Sequence, residues 1–167
     1  LLRLNAARDG FLLAGSLAAA HPGTSGIFPI SNAPGAFAAR VLLARAAERS
    51  LDVQYYIWHD DATGALRFQA LIDAAARGVR VRLLLDDNNT AGLDLTLAVL
   101  DAHPGIELRL YNPVRYRGWR ALNFVTDFER SNRRMHNKSF TADNLATILG
   151  GRNIGNEYFG VETEVEF

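Results

Sequence analysis

The chain contains no cysteine, which excludes disulfides, thiolate catalysis and Cys-ligated metal sites. It also lacks an excess of charge: eighteen Lys and Arg balance eighteen Asp and Glu. The overall field is therefore not that of a protein drawn onto nucleic acid by net charge, and no nucleic-acid partner is expected. Long apolar runs are missing as well. A spanning helix needs ~20 apolar residues, and the nearest candidate, FLLAGSLAAA at residues 11–20, is too short. It reads as an amphipathic lead-in helix, and Arg8 with Asp9 makes a poor flank for a signal peptide. There is no internal repeat and no linker that would split the chain. What remains is 167 residues, 49% of them hydrophobic, enough to bury the core of one domain. The first residue is Leu1 and the last is Phe167, inside a stretch of strand composition. Both ends read as cut from a longer protein.

Hydrophobic periodicity sets out the elements. Residues 21–33 (HPGTSGIFPISNA) are loop-like, so residues 1–33 form a lead-in segment and residues 34–167 the domain. Pro34–Arg49 predicts an Ala-rich helix with Phe37, Val41 and Ala44 on one stripe. Strand composition follows at 51–58, where Tyr55 and Ile57 are expected on one face and Tyr56 and Trp58 on the other, both core. Then come a helix at 64–77 stopped by Gly78, a strand at 79–85, a helix at 93–102 and a strand at 106–111. Such alternation predicts an α/β fold with a parallel sheet flanked by helices. Past Asn112 the pattern changes. Residues 112–134 are basic, aromatic and poorly periodic, and strands are expected at 135–141, 145–149 and 161–167.

Chemistry concentrates in RRMHNKSFTADNLATILGGRN. It contains H-x-K-x4-D at His136, Lys138 and Asp143, followed by G-G-x-N at Gly150, Gly151 and Asn153. Two residues two apart on a strand share a face, so an imidazole would stand beside a fixed ammonium. The imidazole can attack phosphorus and leave again, while the ammonium neutralises charge on phosphoryl oxygens. The bland alternative for His136 and Lys138 is a surface strand with two polar residues. For Asn153 it is a turn-forming asparagine.

With these motifs the chain resembles the phospholipase D superfamily, and within it the bacterial cardiolipin synthases and related proteins. The resemblance runs from about Pro34 to the end through LDVQYYIWHDDATG, AAARGVRVRLLLDDNN, RRMHNKSFTADN and GGRNIGNEYFG. It implies a phospholipase D-type sandwich with a mixed, largely parallel sheet. His136 would be the nucleophile forming a phosphohistidine, or else the acid protonating the leaving alcohol. Lys138 and Asn153 would bind phosphoryl oxygens. Asp143 would order its turn and balance charge rather than touch substrate. No metal and no cofactor is implied. Members bring two such motifs together, in one chain or in a homodimer. This chain has one, so a second histidine–lysine half is expected beyond Phe167 or from a second copy. The chain would be the first, N-terminal HKD domain, truncated at its C-terminal end. The family's histidine-orienting acid lies on the strand after the glycine loop, which makes Glu164 a candidate. The substrate implied is a phospholipid, the activity phosphatidyl transfer with cardiolipin as product, and the location the bacterial inner membrane, bound peripherally. Rival readings are a phospholipase D hydrolase, a dimeric endonuclease of the same superfamily, and an inactive half acting as a membrane-binding module.

Two further features bear on function. Asp86 and Asp87 end a strand and read as turn and cap residues, as do Asp60 and Asp61. The segment around Arg115, Trp119 and Arg120 mixes cations with rings, as a face on an anionic bilayer would. Single-stranded nucleic acid is the weaker alternative there, and a packed surface loop the plain one.

Overall fold

A computed structural model describes residues 15–161, except for the side chain of Phe124. The strand expected at 161–167, and Glu164 with it, thus lies outside the described residues save for Val161. Residues 15–20 are helical (α1). After them come α2 (Ala33–Ala46), β1 (Ser50–Tyr55), α3 (Ala62–Ala76), β2 (Arg80–Asp86), α4 (Asp94–Asp101) and β3 (Ile106–Tyr111). Two short helices, α5 (Arg120–Thr126) and α6 (Phe128–Ser131), precede β4 (Lys138–Ala142), β5 (Ala146–Leu149) and α7 (Asn156–Phe159).

Caps explain where helices begin. Asn32 accepts a bond from Gly35 N at 2.6 Å to start α2, and Asp61 accepts one from Gly64 N at 2.9 Å to start α3. Asp61 is a helix cap, as a turn acid before an apolar stripe should be. Burial pushes its pKa up, but bonds from Gly64, Asn156 and Thr63 outweigh this and hold it below the usual range. Gly64 is obligatory for close approach: a Cβ there would sit 2.0 Å from the His59 carbonyl oxygen. α2 stops at Ala46, short of Arg49, because the Glu48, Arg49 and Ser50 N–H groups turn to another acceptor, described below.

The five strands form one sheet in the order β3-β2-β1-β4-β5. β1–β2 and β2–β3 are parallel, while β1–β4 and β4–β5 are antiparallel. The sheet is mixed, and helices α3 and α4 provide the crossovers between its parallel strands. Leu51, Val53, Tyr55, Val81, Leu83, Leu85, Phe140 and Ala142 point into the core beneath the helices. On the other face of β2, Arg80 and Arg82 are exposed. β4 and β5 join through Asp143 and Asn144, both left-handed at φ 52° and 56°, the paired conformation a tight hairpin requires.

Three expectations shift. The buried stripe of α2 is Ala36, Arg40 and Ala44 rather than Phe37, Val41 and Ala44. Arg40 takes the inward place because its guanidinium bonds the Tyr55 hydroxyl at 2.8 Å and the Ala36 carbonyl at 2.8 Å. Strand β1 ends at Tyr55, so alternation does not continue to Trp58. Instead Trp58 meets Tyr55 edge-on at 5.6 Å and stacks on Phe68 at 4.3 Å. Finally, 112–134 contains two short helices where periodicity showed none. The fully buried Arg67 lies over the rings of Phe37 (4.4 Å) and Phe159 (4.9 Å). Desolvation lowers its pKa to about 10, which leaves it cationic at neutral pH.

Candidate active site

The site gathers at the end of β1. Tyr55 pairs with Lys138 across the β1–β4 ladder, and Tyr56 follows. The Tyr56 ring lies 4.3 Å from the His136 ring, tilted by 44°. The Lys138 ammonium is 5.2 Å from the centre of the same ring, a cation–π distance. It also donates to the His136 carbonyl at 2.9 Å. His136 and Lys138 thus stand on one side, although His136 lies two residues before β4 begins rather than within it. The histidine is exposed, whereas Lys138 is buried, only 8% exposed. Burial pulls the Lys138 pKa down from the ordinary lysine value, because water that would stabilise the ammonium is excluded. Lys138 is the only lysine in the chain; every other permanent side-chain cation is an arginine. A compact ammonium differs from a guanidinium fork in charge density and reach.

Asn153 comes to the same place from the other motif. It is buried, and its Oδ1 accepts from Ile57 N at 3.2 Å. Ile154 N donates to Ile57 O at 3.1 Å, and His59 N to Ile154 O at 2.9 Å, with a parallel bridge between Trp58 and Ile154. The glycine loop is stitched further to the start of α3: Asp61 accepts from Asn156 N at 2.7 Å, and Asn156 accepts from Thr63 N at 3.1 Å. With Oδ1 committed to backbone, the NH2 of Asn153 is the end that can face a phosphoryl oxygen. His136 and Lys138 thus meet the chain at Tyr56, and Asn153 meets it at the next residue, Ile57.

Asp143 does not join them. It sits at the opposite end of β4, roughly 16 Å along the strand from Lys138 at 3.3 Å per residue. Its Oδ1 accepts from Arg49 N (2.8 Å) and Ser50 N (2.7 Å), and its Oδ2 from Glu48 N (2.9 Å). Burial raises its pKa, but these three backbone donors outweigh that effect and hold it below the carboxylate range. The third motif residue is a clasp between the α2–β1 connection and the β4–β5 hairpin.

Asp86, Asp87 and Tyr56 carry more than turn, cap and core positions. Asp86 does cap the following turn through Asn88 N at 2.9 Å. Yet both aspartates are fully buried and reach far along the chain. Asp86 accepts from Arg134 Nη1 (3.0 Å) and Met135 N (2.8 Å). Asp87 accepts from Thr90 Oγ1, Val114 N (2.7 Å) and Arg117 Nη1 (2.7 Å). Burial raises the Asp87 pKa, and these partners together bring it below the usual range. The legible signal was a pair of acids ending an apolar strand in a chain with an arginine-rich segment downstream.

That segment spends most of its charge internally. Arg117 also binds Asp94, Arg120 donates to the Asp87 carbonyl, and Arg130 binds Asp127 and the Pro113 carbonyl. Arg115 lies over the Tyr116 ring and is exposed, as is Arg133. Trp119, Val125 and Phe128 are 74%, 83% and 61% exposed. Among the described residues no helix is long and apolar enough to cross a membrane, and no three His, Asp or Glu side chains gather as a metal site would require.

Comparison with known proteins places this arrangement. The profile described as "Cardiolipin synthase, PLD-like domain" matches residues 42–167. Cardiolipin synthase C of Escherichia coli strain K12 is 60% identical over 151 residues, covering 90% of this chain and 32% of that protein. An uncharacterized protein of Helicobacter pylori strain 26695 is 42% identical over 130 residues, 77% of this chain and 26% of that one. Cardiolipin synthase A of Pseudomonas putida strain F1 is 32% identical over 118 residues, 69% of this chain and 23% of that one. This chain thus spans 32% or less of the length of these curated relatives. In three dimensions it resembles NucT from Helicobacter pylori, with a TM-score of 0.55 at 19% identity over 74% of this chain and 70% of that one. This last likeness concerns the fold. By profile and by sequence identity, the chain belongs to the cardiolipin synthase group of phospholipase D-like domains.

Proposed function

We propose that this chain is one histidine–lysine half of a phospholipase D-type phosphatidyltransferase, with phospholipid as substrate and cardiolipin as product. The observation that carries the reading is the convergence of His136 and Lys138 on the Tyr56 ring, with Asn153 fixed at the next residue. The 60% identity to a protein named cardiolipin synthase C supports the lipid substrate. In the reaction His136 attacks the phosphorus of a phospholipid diester. The phosphorus–oxygen bond to the headgroup alcohol breaks, and that alcohol takes a proton from an acid on the second half-site. Lys138 and the Asn153 amide stabilise the added negative charge on the phosphoryl oxygens. A second alcohol then attacks the phosphohistidine, giving its proton to the same second half-site group, now a base, as the phosphorus–nitrogen bond breaks and frees the imidazole. With phosphatidylglycerol as acceptor the product is cardiolipin; with water it is phosphatidic acid. The second His/Lys pair comes from another part of the same protein or from a second copy. Asp143 serves as a structural clasp. Glu164 stands as the proposed orienting acid for His136.

The same reading seats the protein peripherally on the bacterial inner membrane. Exposed Trp119, Val125 and Phe128 suit the headgroup level, and Arg115 and Arg133 suit anionic lipid. Arg120 supports this region from beneath through Asp87 rather than by facing outward.

The test uses the full-length protein containing this chain, with phosphatidylglycerol and phosphatidylethanolamine vesicles and a chelator. Cardiolipin that forms, and is lost in His136→Ala, supports the reading. Phosphatidic acid alone indicates a hydrolase. Cleavage of nucleic acid with no lipid product overturns the lipid assignment. In parallel, Trp119→Ser with Phe128→Ser is expected to weaken sedimentation with anionic vesicles about tenfold or more; unchanged sedimentation rejects that contact surface.

A further inference from the structure

We propose that Asp86 is a positioning residue for His136, acting through the backbone that leads into it. The inference rests on His136 being the reacting histidine. Asp86 is completely buried at the end of β2, and both its carboxylate oxygens are used. Oδ2 accepts from the main-chain N–H of Met135, the residue before the histidine, at 2.8 Å. Oδ1 accepts from the side chain of Arg134 at 3.0 Å and from Asn88 N at 2.9 Å. Arg134 and Met135 lie 48 and 49 residues along the chain from Asp86, so these two bonds form a tertiary tether beside the local turn through Asn88.

Its importance follows from where β4 starts. The first paired residue is Lys138, opposite Tyr55. His136 therefore lies ahead of the ladder, in a segment that belongs to no strand. On its C-terminal side it is fixed by β4 and by the Lys138 ammonium on its carbonyl. On its N-terminal side the adjoining backbone N–H is pinned by Asp86, and the Met135 side chain is buried beneath. The imidazole itself is exposed and rests against one ring face, so its placement is inherited from these two anchors. Nucleophilic attack requires alignment to within a fraction of an ångström.

Asp87 offers a matched control. It is equally buried and is also paired with arginine, but it holds Val114, Thr90 and Arg117 instead of the histidine's lead-in. The experiment compares Asp86→Asn and Asp87→Asn in the full-length protein, with kcat and KM measured on a soluble short-chain phosphodiester and thermal midpoints measured alongside. Asp86→Asn is expected to lower kcat by about 10- to 100-fold with KM within about twofold, since misplacement affects the reaction step more than binding. Asp87→Asn is expected to lose a similar amount of stability and keep kcat within about threefold. Equal kcat losses in the two variants, or full kcat in a folded Asp86→Asn, overturn the proposal. If Asp86→Asn fails to fold, Arg134→Gln removes one tether and keeps Met135 N bound; a kcat loss of about threefold or more is expected, and full kcat there overturns the proposal. Absence of turnover by the unmodified protein would instead refute the proposed function itself.

Discussion

Replacing Asp143 by alanine should unfold this domain more readily while leaving the chemistry of the folded fraction intact. The carboxylate accepts three backbone N–H bonds, from Glu48, Arg49 and Ser50 at 2.7–2.9 Å. A hydrogen bond to a charged group contributes roughly 1.5–3 kcal/mol, so the gross figure is about 4.5–9 kcal/mol. Asp143 is only partly buried, and water can reach the released donors, so the net loss is reduced to about 2–4 kcal/mol. Alanine also tolerates the left-handed φ of 52° less well than aspartate. Asp143→Asn keeps an oxygen for Arg49 and Ser50 but loses the Glu48 bond and the charge, at about 1–2 kcal/mol. The measurement is urea unfolding at several pH values, beside kcat under conditions where the variant is fully folded. Because the folded pKa is depressed, the wild-type contribution is complete above the ordinary value of 3.8 and drains away as pH falls through the lower folded value. The asparagine variant should lack that part of the acid slope. A folded Asp143→Asn with near-normal stability and a large loss of kcat would refute the structural role.

Tyr56→Ala should lower kcat/KM by about tenfold, since it removes both the ring under His136 and the cation–π partner of Lys138, while Tyr56→Phe should stay near wild type. A loss in the phenylalanine variant would shift the role to the hydroxyl. Gly64→Ala drives a methyl against the His59 carbonyl and should cost about 1–3 kcal/mol in urea unfolding. A neutral result would mean that the 58–64 connection yields easily. Because Lys138 is the only lysine, 15N-lysine labelling gives this chain a single ε-amino signal, expected to titrate below 10.5. The folded form then releases its proton before the unfolded chain does, so stability rises with pH across that interval. A titration at or above the ordinary value would mean that the ammonium is solvated.

Much of the architecture was written locally. Hydrophobic spacing and caps such as Asn32 and Asp61 specify helices and strands through contacts a few residues long; β3 falls on the residues its composition indicates. Boundaries slipped where a distant partner intervened. α2 ends early because Asp143 claims the N–H groups of Glu48, Arg49 and Ser50, and no pattern near residue 46 announces an acceptor some 95 residues on. The H-x-K and G-G-x-N motifs singled out the candidate site residues, because that chemistry needs particular groups at fixed spacing. Only the tertiary structure decided which backbone groups Asp143 clasps, that the Tyr56 ring lies against both His136 and Lys138, and that Asp86 ties down the histidine's lead-in. The physical reason is range: side-chain periodicity records which face a residue takes, whereas the partner of a buried charge is chosen by whatever donors the folded chain brings within 3 Å.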